Sequence, residues 1–117
     1  MIKKIIDPVF RTTIHLIVES DGEKAKKAVY KIMGDKSVLE LNFDWPVGAK
    51  SIWNSRCKNY VIWLRRKKDV GHLVHEIVHI TQHVLEPRGI YLKECDETYA
   101  YYQEFLFNEC MKAMKDK

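Results

Sequence analysis

The sequence predicts an α+β domain in which a small, mostly antiparallel sheet packs against two C-terminal helices, with one further helix near the N-terminus. Three observations predict it. Short runs rich in β-branched and aromatic residues fill the first half, a long stretch of helix-period apolar residues follows, and a second helical stretch closes the chain. At 117 residues, 46% of them hydrophobic, the chain suffices for a single domain, 1–117, and is too short for two.

Residues 10–19 (FRTTIHLIVE) read as the first strand. Ser20 and Glu23 have the spacing of a capping box, Ser20 being the N-cap. They open a helix to about Met33, where Gly34 is a favoured stop; Val29, Ile32 and Met33 give it a narrow apolar side. Residues 37–43 (SVLELNF) set Val38, Glu40 and Asn42 against Leu39, Leu41 and Phe43, a period of two that predicts a half-buried strand. Residues 45–48 (WPVG) form a turn and 51–53 a brief strand. Residues 59–64 (NYVIWL) are the strongest strand, nearly continuous in apolar residues, and 65–68 (RRKK) close it. Asp69 is a plausible N-cap for a helix over 70–85. That helix ends near Glu86, because the residue before Pro87 is pushed out of helical conformation. The last helix runs from about Glu94 to Met114, with Lys112, Lys115 and Lys117 suited to its C-terminus. The order is strand, helix, strand, strand, helix, helix.

Composition narrows the function. The net charge of +4 is concentrated at 24–27 (KAKK) and 65–68 (RRKK). The plain reading is a solvated helix face and a solvated turn; the other is contact with phosphate or an acidic partner. Cys57, Cys95 and Cys110 are odd in number and lack zinc-ribbon spacing, which suits reduced thiols in a cytoplasmic protein. Asp7-Pro8 interrupts any apolar signal region after residues 1–6. No apolar run approaches the roughly 20 residues of a membrane-spanning helix.

The informative motif is His75-Glu76-Ile77-Val78-His79, inside the predicted helix. Imidazoles four residues apart lie one turn apart, a rise of about 6 Å, and can reach one tetrahedral Zn²⁺. The carboxylate beside the first histidine can hold and deprotonate a water there. At 100° per residue, His75, His79, His72, His83 and Glu76 fall between 0° and about 100°. Leu73, Ile77, Ile80, Val84, Val70, Val74, Leu85 and Val78 cover about 140° to 300°, a solid core side. A catalytic zinc takes three protein ligands and leaves a fourth position open. The sequence offers Glu97 as the third, eighteen residues after His79 and near the start of the last helix.

Here the chain resembles the gluzincin metallopeptidases, including the thermolysin-like and aminopeptidase families. These carry HExxH followed eighteen to twenty residues later by a ligand Glu on a second helix. In the aminopeptidases that Glu lies in an Asn/Asp-Glu-x-Phe/Tyr-Ala context, which Asp96-Glu97-Thr98-Tyr99-Ala100 fits. Together with Tyr60-Val61-Ile62-Trp63-Leu64, Val84-Leu85-Glu86-Pro87-Arg88-Gly89-Ile90 and Tyr101-Tyr102, the motifs resemble small metallopeptidase-like proteins encoded by bacteriophages and prophages. The likeness is close over the C-terminal half and looser before it.

The resemblance implies a minimal zincin-like domain with an HExxH helix and a C-terminal ligand helix. It implies one zinc per chain on His75, His79 and Glu97, with Glu76 as general base. It further implies a peptide or protein substrate, and the cytoplasm of a bacterial host if the chain is phage-encoded. The strand 60–64 would border the cleft and pair with extended substrate. Four residues after the third ligand, where the thermolysin-like pattern has an Asp orienting a zinc-bound histidine, stands Tyr101. Asp96, Glu104 or a backbone carbonyl are the alternatives for that task. Tyr99, Tyr101 and Tyr102 are the tyrosines available to stabilise an oxyanion, with helix packing the expected role of at least two. His72 and His83 line the mouth of the cleft in the leading reading; His83 is also conceivable as a ligand in a three-histidine site. Cys95 would point about 200° away from Glu97, and His15 is expected to be structural. Two rival readings stand beside the peptidase: a catalytically silent, zinc-stabilised binding or assembly protein, and, less favoured, a nucleic-acid-associated protein using 65–68.

Overall fold

Strand side chains alternate between the two faces of a sheet, and in this protein both faces are apolar. The computed structural model describes residues 1–54 and 59–115; Cys57 and Lys117 lie outside them. Four strands, β1 (Ile2–Ile6), β2 (Thr13–Val18), β3 (Ala49–Ile52) and β4 (Asn59–Leu64), form one sheet in the order β1-β2-β4-β3. Three helices, α1 (Gly22–Met33), α2 (Val70–Leu85) and α3 (Asp96–Lys115), cover it. Ile14, Leu16, Tyr60, Ile62 and Leu64 face α2 and α3, where Leu73, Ile77, Tyr102 and Leu106 complete the larger core. Ile17, Val61 and Trp63 face the other way and pack with Ala25, Val29, Met33 and Phe43.

The α+β class holds, with a mixed sheet. β1 pairs antiparallel with β2, and β3 with β4, but the central pair β2–β4 is parallel, Ile14 opposite Tyr60 and Leu16 opposite Ile62. Parallel strands need a crossover, and the chain between β2 and β4 supplies it with α1 and β3. β4 reads as a continuous apolar run because it is bonded on both edges and covered on both faces. It therefore has no edge to offer a substrate, and the border role expected for 60–64 is not available to it. The edge strand on that side is β3.

Three local expectations are corrected. Residues 2–6 form a strand that the sequence reading passed over; only Ile5 of its five residues is buried, so it shows little apolar alternation. Its lysines suit an edge. Residues 36–40 form a 3₁₀ turn in place of the strand expected over 37–43. Asp35 accepts hydrogen bonds from the Ser37 amide and hydroxyl, a local alternative to strand pairing. The N-cap of α1 is Asp21, not Ser20: its carboxylate accepts from the Glu23 and Lys24 amides. Gly22 then starts the helix where a Cβ would run into the Phe43 carbonyl oxygen. The stop at Gly34 is as expected, with a left-handed φ of 67°. Asp69 stands at the N-cap position of α2, but its carboxylate pairs with Arg66 instead of capping. Cys95 and Cys110 are free thiols, and burial pushes Cys110 up to about 12.

Candidate metal centre

The helix α2 lies alongside the edge strand β3, and two of its histidines fasten the ends of that contact. His72 sits over Gly48, just before β3, where an added Cβ would come 2.7 Å from the imidazole Nδ1. Glycine there permits the close approach. His83 stacks on Trp53, just after β3, with ring centroids 3.5 Å apart, and the Tyr60 hydroxyl donates to the His83 carbonyl at 3.3 Å. Eleven residues of helix and five of strand both span roughly 16 Å, so the two contacts set helix and strand in register. Burial lowers the His83 pKa; Glu86 opposes the shift and His79 adds to it. His72 and His83 thus belong to the α2–β3 junction.

Between them, His75 and His79 turn outward on consecutive turns. Their Nε2 atoms lie 3.1 Å apart, with the rings edge to face. Two nitrogens each 2.0–2.1 Å from one tetrahedral zinc stand roughly 3.3 Å apart. The pair therefore fits two positions of a zinc coordination sphere, and imidazole is a suitable donor for that metal. Glu76, the only acid of α2, is 9% exposed. Among the described residues no hydrogen bond or ion pair engages its carboxylate, which keeps some contact with solvent.

The rest of the predicted set is distributed elsewhere. Among the described residues no three His, Cys, Asp or Glu side chains converge where a metal ion would fit, so Glu97 does not stand with His75 and His79. Glu97 is exposed in the first turn of α3, and Asp96 accepts from its amide at 2.9 Å. Acids in a first turn also suit the helix dipole. The Tyr99 hydroxyl donates to the Ile90 carbonyl and the Tyr102 hydroxyl to Asp7, so both are packing residues. Tyr101 is exposed and lines a separate groove with Val9 and Phe10. No tyrosine hydroxyl of this set is left beside the histidines for an oxyanion.

Two features escaped the sequence reading. Val74 and Val78, placed in the core arc, are each 45% exposed and line a groove between α2 and α3. The apolar arc of α2 is wider than the surface that α3 and the sheet cover. The cluster 65–68 is not uniformly solvated either. Arg65 is buried and donates to the carbonyls of Ser20, Phe43 and Val47. Arg66 pairs with Asp69, which leaves Lys67 and Lys68 as the cluster's exposed, unbridged cations among the described residues. No described helix is long and apolar enough to cross a membrane. Comparison with protein-family models, curated proteins and solved structures finds no match to this chain.

Proposed function

We propose that this chain is a zinc-dependent hydrolase of peptide bonds, centred on His75, His79 and Glu76. The observation that carries the reading is the 3.1 Å separation of two outward-turned Nε2 atoms on a helix whose one acid lies between them in sequence. His75 and His79 would hold one zinc per chain, with a carboxylate of α3 as third protein ligand; the gluzincin resemblance implies Glu97. When bound, the metal supplies Lewis acidity to an acyl carbonyl and to water. Glu76 takes the proton of the attacking water and passes it to the leaving amine. No hydrogen bond or ion pair among the described residues competes for the Glu76 carboxylate, so its oxygens are available to a water held beside it. The outer edge of β3 is the one beside α2 where an extended peptide could add as a strand.

The test is elemental analysis of protein purified without a histidine tag, followed by hydrolysis of a peptide library. One zinc per chain, turnover in the wild type, and retained zinc with no turnover in Glu76→Gln are the expected results. Turnover that survives Glu76→Gln would sink the mechanism. A protein that neither carries nor takes up zinc would sink the reading altogether.

One observation favours a second reading, in which the metal stabilises a binding or assembly protein without catalysis. The hydroxyls of Tyr99 and Tyr102 are engaged elsewhere and Tyr101 lines a different groove. In that case Glu76→Gln leaves the protein's role intact, and chelation lowers its melting temperature.

A further inference from the structure

The exposed residues of α2 are Gly71, His72, Val74, His75, Val78 and Gln82, and none of them is Asp, Glu, Lys or Arg. A helix side turned to water ordinarily carries charge; in α1 every exposed residue does, namely Glu23, Lys24, Lys27 and Lys31. At 100° per residue, Val74, Val78, Gly71, Gln82, His75 and His79 share one arc of about 140°. The valines lie toward one margin of that arc, each 45% exposed, and the two histidines toward the other. Depletion of charge is the compositional mark of the centre of a protein interface. The histidines indicate which interface. Their Nε2 atoms, 3.1 Å apart, fill two positions of a tetrahedral zinc site, and among the described residues no third His, Cys, Asp or Glu completes it. A second copy of the same face supplies the missing half. In a two-fold interface each copy presents the same patch. Let the two α2 helices lie antiparallel, with the axis crossing their seam at the level of residue 77, midway between His75 and His79. Both histidine pairs then fall on one side of the seam and both valine pairs on the other. A parallel arrangement would instead set valines against histidines.

We infer that two copies of this chain pair through α2 and share one zinc ion, held by His75 and His79 of each copy. The inference rests on the second reading above, in which the metal stabilises an assembly without catalysis. Four imidazoles occupy all four positions of the ion and leave none for water. Bringing Val74 and Val78 of the two copies together removes exposed apolar surface from water, which adds to the metal's contribution. Because the exposed side of α2 holds no fixed charge, closing the contact desolvates no ion of that helix.

The measurement is molar mass by size-exclusion chromatography with light scattering, and zinc content in each peak. It compares tag-free wild type, His75→Ala and Val78→Lys, each with limiting zinc and with a chelator. Wild type should double its mass at one zinc per two chains and return to the monomer on chelation. His75→Ala takes one imidazole from each copy and should stay monomeric at the same zinc concentration. Val78→Lys sets like charges against each other across the seam and should need about tenfold more protein to pair. Both positions are exposed, and melting of the metal-free variants checks that each folds. One zinc per chain on a monomer overturns the shared site; if chelation still lowers the melting temperature, the metal-stabilised reading stands without it. A dimer that forms without zinc, or that survives His75→Ala or Val78→Lys unchanged, also overturns it. A wild type that takes up no zinc removes the reading and the inference together.

Discussion

Asp7, Arg65 and Glu76 are the charged side chains buried among the described residues, and their surroundings separate fold from function. The Asp7 carboxylate accepts from the amides of Val9, Phe10, Arg11 and Thr12 and from the Tyr102 hydroxyl. Arg65 gives its guanidinium to three loop carbonyls and lies over the rings of Trp45 and Trp63. In both, every polar side-chain atom is hydrogen-bonded, as buried charges must be if they serve structure. Glu76 is held by no such network. The energetic consequence is clearest at Arg65. Arg65→Met should cost about 3 kcal/mol or more in urea denaturation, because it strands acceptors worth about 1–3 kcal/mol each. Arg66→Ala, at an exposed pair, should cost no more than about 1 kcal/mol. Arg65→Lys should recover only part of the loss, since a single ammonium cannot reproduce the fork. A cost below about 1 kcal/mol for Arg65→Met would show that the carbonyls find other partners.

At the scale of elements, the junction of α2 with β3 fixes where the motif points. His83 under Trp53 and His72 over Gly48 hold the helix at both ends of the strand, and the turns between them carry His75, Glu76 and His79. Burial lowers the His83 pKa from 6.5, and the Trp53 ring stacks on the imidazole. In metal-free protein, Trp53→Ala should raise the His83 pKa toward 6.5, read from imidazole proton shifts in an NMR titration. An unchanged value would mean that the tryptophan is not what shields the ring. The folded pKa being depressed, the stability contributed by neutral His83 is present above 6.5 and is lost as pH falls through that value toward the folded pKa. The variant should show less of this loss. The motif was legible in sequence from spacing alone. The clasp was not, because it joins residues far apart in the chain through a ring stack and a glycine.

Across the whole molecule, Asp7 ties the β1–β2 turn to the last helix through Tyr102, a contact between residues 95 positions apart. Burial alone would push its carboxyl up. The Phe10 amide, then the Tyr102 hydroxyl and the donors of Thr12, pull it down, and the net pKa lies below 3.8. A lowered folded pKa gives stability that is present above about pH 3.8 and is lost as pH falls through the folded value. Asp7→Asn should therefore be less stable than wild type at neutral pH, with the gap narrowing below pH 3.8, in denaturation curves at pH 7 and pH 3. A gap that is constant with pH would show that the charge of Asp7 contributes nothing. Neither Asp7 nor Tyr102 carries a local signal of this pairing.

The sequence by itself determined the elements whose causes are local or periodic. α2 and β4 follow from unbroken apolar patterns, the end of α1 from Gly34, and the histidine pair from a four-residue spacing on a helix. It failed where two local readings competed, as at residues 36–40, where an Asp35 cap prevailed over period-two alternation. Tertiary structure alone decided the parallel central pair, the edge position of β3 and the exposure of Val74 and Val78. Among the described residues it also leaves Glu97 apart from the His75–His79 pair. Chain spacing fixes a residue's place along its own helix, but its level against a neighbouring helix depends on the connecting turn and on how the two surfaces pack.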